Sequence, residues 1–386
     1  MRGYIRKRGK NSYAITISLG RDPATGRYLK DYLTVKGTKK DAEKKLVEVL
    51  NQIDNGIYIR PSTTTLAEFL EMWLKDYVSP NLSPTTASGY EHIIYRYIIP
   101  FLGNMTLTVL KPEHLIKYYA EKTEKGLSAQ TVRHHHTILH KALHDAVEWG
   151  LLSRNPADAV SPPRVQRPEL QTWNEDEIFR FLQEAKSTPY YALFYTALFT
   201  GMRRSEILAL RWCDVNLILA QISVNRSLHV LKGGKVVFRQ PKTSKSRRTI
   251  ALSPSAVITL KEHRDKQELE HLMLGIPLKE EDLVFAHYDG TPLLPNTVTH
   301  AWIKLVRRSG LKSIRLHDAR HSHASILLKI DVHPKIVQER MGHSSIQVTL
   351  DTYSHVAPGL QEKAAKHFDE AFISAYNEPE KISIEK

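Results

Sequence analysis

Two proline-containing connectors divide this chain into three stretches of different hydrophobic pattern, which argues against a single core. Up to Val35 apolar and polar residues tend to alternate, as in half-buried strands. This predicts strands over Tyr4–Arg8, Ser12–Leu19 and Arg27–Val35, with Asp22-Pro23 and Gly26 suited to the tight reversal between the last two. Thr38, with Asp41 three residues on, reads as the N-cap of a helix to about Ile53 that buries Ala42, Leu46, Val49 and Leu50. After the first connector (Pro61 to Thr64) the pattern turns wholly helical. Thr65 opens a helix through about Tyr77, Ser83-Pro84 one to Ile98, Pro112 one to about Lys125, and Ser128 one ending near Trp149-Gly150. The second connector, Asn155 to Glu169, holds four prolines. Beyond it the pattern mixes helices (Glu175–Ala185, Tyr190–Phe199, Arg204–Leu210), a strand-rich stretch from Gln221 to Leu252 turning at Gly233-Gly234, and helices to about Tyr376. The expected domains are therefore 1–58, 62–155 and 168–376, with a flexible tail over 377–386.

At 386 residues and a formal charge of +14, the chain is long enough for three domains and basic enough to meet a polyanion. The charge is concentrated: residues 1–50 hold thirteen Lys or Arg against five Asp or Glu, a net +8. A small sheet so charged can lay a face in a nucleic-acid groove, with Arg6, Lys7, Arg8, Lys10 and Arg27 as candidate contacts. No apolar run approaches the roughly 18–20 residues that span a bilayer. Cys213 is the only cysteine, which rules out an intramolecular disulfide and a cysteine-based zinc cluster and fits a cytoplasmic location. His136, His140 and His144 recur at four-residue steps, a spacing found in zinc sites, but no acidic or cysteine third ligand is near in sequence. We therefore assign no metal there.

The last two hundred residues carry four short motifs in one order. Thr200-Gly201-Met202-Arg203-Arg204-Ser205-Glu206 falls at a break between two helices. Pro241-Lys242-Thr243-Ser244-Lys245-Ser246-Arg247-Arg248 leads into the strand Thr249–Leu252. His317-Asp318-Ala319-Arg320-His321 and Met341-Gly342-His343-Ser344-Ser345 follow, and ten residues after His343 stands Tyr353. These residue types suit one chemistry, the breaking and resealing of a phosphodiester. A tyrosine hydroxyl keeps the phosphoryl bond as a reactive ester, so resealing needs no ATP. With an unperturbed pKa of about 10, it needs a nearby base. Guanidinium forks match the oxygens that gain charge as the phosphate is attacked. A Lys ammonium on a hairpin can protonate the leaving oxygen. The residues alone leave Arg203 or Arg204, and Lys242 or Lys245, open for these roles.

The ordered set resembles the active site of the tyrosine recombinases, the integrases of temperate phages and conjugative transposons, and the likeness runs from end to end. It implies a mainly α multidomain protein with small β-sheets: an arm-type N-terminal sheet plus helix, an all-α core-binding domain, and an α+β catalytic domain. By resemblance Tyr353 is the nucleophile, forming a 3′-phosphotyrosine. Arg203 and Arg320 bind the scissile phosphate, Lys242 is the general acid, His317 the base and His343 a further hydrogen-bond donor. Glu206 orients its neighbours. From their position alone, His321 and His323 read as supporting or packing residues. Ala319 and Met341 stand where the family usually has Leu, which touches packing and not chemistry. The implied function is site-specific integration and excision of a mobile element or prophage, without cofactor or metal. Its partners would be core and arm attachment sites in duplex DNA, three further copies of the chain, a directionality factor and a host DNA-bending protein, and no membrane. A type IB topoisomerase-like enzyme and a catalytically silent DNA-binding regulator are the rival readings.

Overall fold

The structure, a computed structural model, describes residues 3–21, 26–55, 58, 63–165, 170–240, 247–353, 365–366, 368–370 and 372, with 351–353 in backbone only. The Lys242 motif, most of the helix expected over 359–376 and the tail over 377–386 lie outside the described residues. The chain forms two compact units, Met1–Arg167 and Pro168–Lys386. Among the described residues no helix is long and apolar enough to cross a membrane.

The first unit opens with an antiparallel meander of β1 (Gly3–Gly9), β2 (Ser12–Arg21) and β3 (Tyr28–Lys36), with β2 in the centre. Register decides its two faces. Ile5, Ile15 and Leu33 are cross-strand partners, and with Ile17 and Val35 they pack on α1 (Lys39–Asp54) through Ala42, Leu46, Val49 and Leu50. The opposite face carries the row Tyr4–Thr16–Tyr32 and, beside it, Arg6, Thr34 and Lys30. Tyr4 and Tyr32 are exposed, with no element of this small module covering them. Thr38 and Asp41 form the expected capping box at the start of α1.

Four helices follow. α2 (Leu66–Trp73) continues through a π-turn (Leu74–Val78) into Ser79–Asn81, and α3 (Pro84–Ile93) through a π-turn (Ile94–Ile98) into Ile99–Leu102. Both run past the ends expected from the sequence, for one reason. Pro80 and Pro100 lack a donor and would press on the carbonyl four residues back. In the wider turn the amides of Ser79 and Ile99 donate five residues back, to Leu74 and Ile94, and the helix passes the proline. α4 (Pro112–Glu124) and α5 (Ala129–Glu148) complete the bundle, whose core includes Trp73, donating from its indole to the buried Asp145 carboxylate at 2.8 Å. The predicted connector starts too early. Asn155 caps a 3-10 turn, Pro156–Ala159, and Ala157 and Val160 are buried in the bundle core.

The second unit packs α6 (Glu175–Ala185), α7 (Tyr191–Thr200) and the short α8 (Arg204–Ile207) with a small sheet ordered β4 (Val215–Asn216), β5 (Gln221–Val224), β8 (Arg248–Ala251). A separate hairpin, β6 (Ser227–Val230) and β7 (Val236–Arg239), turns at Gly233-Gly234, both at positive φ. α9 (Pro254–Met273), α10 (Pro295–Arg308), α11 (Leu316–Lys329), α12 (Pro334–Met341) and α13 (Ile346–Tyr353) follow. Trp173, Phe181, Phe194 and Trp302 form the aromatic centre of its core, tying α6, α7 and α10 together. α11 joins them through the Ser322 hydroxyl, which accepts from the Trp173 amide.

Candidate active site

The site is built on two left-handed glycines. Gly201 (φ 64°) ends α7, and a Cβ there would come within 2.8 Å of His323 and of the Met341 sulfur. Gly342 (φ 64°) ends α12, and a Cβ there would press on the Arg248 guanidinium at 3.1 Å. Both turns bring backbone carbonyls close to arginines. Arg203, the N-cap of α8, donates to Gly342 O at 3.0 Å and to Glu206 Oε1 at 2.8 Å. Arg320, only 3% exposed on α11, donates to Gly201 O at 2.6 Å and to Met341 O.

Glu206 lies between two guanidiniums. Its carboxylate accepts from Arg203, and from Arg248 in a two-pronged pair at 3.1 and 2.8 Å. Burial alone would raise this carboxyl, but the hydrogen bond and charge of Arg248, with the charge of Arg203, bring it down to about 2. One carboxylate among three guanidiniums leaves the cluster cationic, as an anion-binding site requires. Arg340 braces it from behind, donating to Ala251 O, Phe199 O and the His323 ring. Burial and the adjacent Arg340 hold His323 at about 3, so this ring accepts in the neutral form.

The other histidines are neutral as well. Burial, then the charges of Arg320 and Arg203, push His343 down to about 4. Partial desolvation and Arg320 lower His317, whose ring meets that of His321 edge-on at 5.1 Å. Burial and His317 bring His321 to about 4. A neutral imidazole can take a proton or offer a single N–H, and either is useful at a phosphate under attack.

Of the residues expected from the sequence, Arg203, Arg320 and His343 come together at the Gly342 turn, and His317 lies close enough to Arg320 and Arg203 to be affected by their charge. Tyr353 ends α13, the helix that follows this turn. Lys242, like Lys245, lies outside the described residues. Arg204 is exposed and donates to Thr299 Oγ1 and Pro295 O at the start of α10. His136 pairs with the Tyr119 hydroxyl, and His140 and His144 with Asp158 and Glu148. Arg6, Lys7, Arg8, Lys10 and Arg27 are all exposed. By register Lys7 shares the helix-side face with Tyr13 and Val35, whereas Arg6 sits on the open face. Lys30 and the open-face tyrosines were missed, though the alternation of β3 could have found Lys30 and Tyr32, and that of β1 Tyr4. Arg248 was missed too. It points inward with Ile250 on β8, and an arginine on the buried face of a strand demands a carboxylate.

A model of the phage integrase family matches residues 171–359, and a model of the phage integrase N-terminal SAM-like domain matches residues 65–123. A tyrosine recombinase XerC-like protein of Caldanaerobacter subterraneus is 30% identical over 95% of this chain and 98% of its own length. The chain belongs to the tyrosine recombinases. It is a site-specific recombinase of the integrase type, a DNA strand-transferring enzyme of mobile elements or prophages. The ICEBs1 integrase of Bacillus subtilis is 27% identical over 95% of this chain and 99% of its own. Among solved structures, the Tn1549 transposon integrase in complex with a circular intermediate DNA superposes with a TM-score of 0.67 at 20% identity, over 80% of this recombinase and 99% of that chain. A lambda integrase tetramer bound to a Holliday junction gives 0.58 at 18% identity, over 92% and 96%. These likenesses show the fold, including the mainly helical make-up and the α+β second unit.

Proposed function

We propose that this recombinase cuts and rejoins duplex DNA through a 3′-phosphotyrosine at Tyr353. Tyr353 Oη attacks the scissile phosphorus as the bond to the 5′-oxygen breaks. The phenol proton passes to neutral His317, and Lys242 protonates the departing 5′-oxygen. Arg203 and Arg320 take up the charge that develops on the nonbridging oxygens, and His343 donates a further hydrogen bond. A 5′-hydroxyl from the partner strand then attacks the phosphotyrosine and reverses these proton transfers. The observation that carries this reading is the cationic cluster of Arg203, Arg248 and Arg320 on the turn preceding the Tyr353 helix, with neutral histidines beside it.

Four copies acting on two duplexes would supply one nucleophile per strand, an arrangement supported by the lambda integrase tetramer on a Holliday junction. The domains would be 1–58 for arm sites, 62–155 for the core site and 168–376 for catalysis. The exposed face of β1–β3 is suited to an arm site, with a directionality factor and a DNA-bending protein as accessory partners. Work on cellular DNA puts the enzyme in the cytoplasm.

The deciding experiment uses a core-site suicide substrate, nicked so that the cleaved strand diffuses away. The parent should accumulate a covalent protein–DNA adduct. Y353F, which loses only the attacking oxygen, should bind DNA within a few-fold of the parent and form none. An adduct on another tyrosine would overturn the assignment, and no adduct from the parent would favour a silent DNA-binding regulator.

A further inference from the structure

α13 is seated by an unexpected side chain. Ile346, Val348 and Leu350 are 38, 42 and 41% exposed, while Thr349 is fully buried. A buried hydroxyl needs a partner, and here it is Nδ1 of His343 at 2.9 Å. The His343 backbone is already fixed, its N–H donating to Gln338 O and its carbonyl accepting from the Gln338 side chain. Ring orientation and tautomer are thus left to the side-chain bond. Burial and the neighbouring arginines keep this ring neutral, with one N–H. The nitrogen that carries the proton is set by the bond the other makes. The roles in this bond follow the tautomer: with the hydroxyl as donor to Nδ1 the proton stays on Nε2, whereas Nδ1–H donating to the hydroxyl would leave Nε2 bare. Thr349 also lies one helical turn before Tyr353.

We propose that Thr349 is a positioning residue: its hydroxyl locks His343 with Nε2–H presented to the scissile phosphate, and makes that donor conditional on the nucleophile helix being seated. The inference rests on His343 acting as a phosphate donor. One hydrogen bond then serves two ends, so the donor is set only when Tyr353 is brought up.

The test is single-turnover cleavage of the core-site suicide substrate by the full-length chain and by T349V, T349S, H343Q and T349V/H343Q. T349V keeps the shape and loses the hydroxyl, so cleavage should slow at least about tenfold with DNA affinity unchanged. T349S restores the hydroxyl and should recover to within about threefold. In the H343Q background T349V should add less than about twofold, because its effect passes through the ring. Three results overturn the inference: T349V at the parental rate, T349S as slow as T349V, or an undiminished T349V effect beside H343Q. The parent and H343Q separate it from the reading beneath. A parental adduct that H343Q does not slow removes the donor role of His343 and this inference with it, while leaving Tyr353 in place. No parental adduct removes the proposed function as a whole.

Discussion

A guanidinium that stabilises a phosphate in the transition state must be in place before the phosphate arrives. Arg203 is held by two oxygens, Glu206 Oε1 and Gly342 O, a geometry only a planar fork satisfies. Arg203→Lys keeps the charge and loses the fork. DNA affinity should change little, while single-turnover cleavage should fall at least about 10²-fold, the loss expected of one preorganised donor. A rate within a few-fold of the parent would make Arg203 structural. His317 gives a second check through pH. Its ring titrates below the ordinary value because partial desolvation and Arg320 disfavour the cation. A base works only when unprotonated, so cleavage should rise with pH along a limb centred below about pH 6.5, the unperturbed value. An acid limb centred above that, measured at fixed salt, would remove neutral His317 from the role. At this scale the sequence was readable where residues are neighbours in the chain. Arg203 and Glu206 share a helical turn, and His317 and Arg320 share another. Strand alternation turns Arg248 inward but cannot name its partner, Glu206, 42 positions away, and Thr349 is buried on a helix whose apolar neighbours are exposed, against the pattern that spacing offers.

Helix starts were legible because their chemistry is local. Thr38 and Thr65 close capping boxes with the residues three ahead, and Ser83 and Ser128 cap through their hydroxyls. Helix ends were less so: Pro80 and Pro100 look like stops, and only the π-turns before them let the helices continue. The glycine ends of α7 and α12 are a different matter, since each places a carbonyl on an arginine. At Gly201 an alanine would adopt a left-handed conformation costing about 1–2 kcal/mol. Its Cβ would also lie 2.8 Å from His323 and from the Met341 sulfur. Gly201→Ala should therefore lower the denaturation midpoint by more than the backbone cost alone, with an unchanged denaturant slope. Because Gly201 O anchors Arg320, cleavage should fall alongside. A variant as stable as the parent would show that the α7–α8 junction can relax away from His323.

For the whole molecule, the question is why so much charge lies in the first fifty residues. The β1–β3 sheet buries one face on α1 and leaves the other open, with Tyr4 and Tyr32 exposed beside Arg6 and Lys30. A net +8 held on so small a module repels itself unless a polyanion neutralises it. The bundle and the second unit have hydrophobic cores separate from that of this sheet, so its loss should spare them. Deleting residues 1–58 should therefore leave the Tyr353 adduct on a core-site suicide substrate intact, yet abolish integration that depends on flanking sequence. Binding to full attachment DNA should also become less salt-dependent, the log–log slope shrinking by about 0.9 for each phosphate that the sheet had neutralised. Footprints of the full attachment site with and without these residues provide the measurement. Protection of flanking DNA that disappears on deletion identifies the sheet as the reader of accessory sites. Identical footprints would reassign its charge to contacts between protein copies.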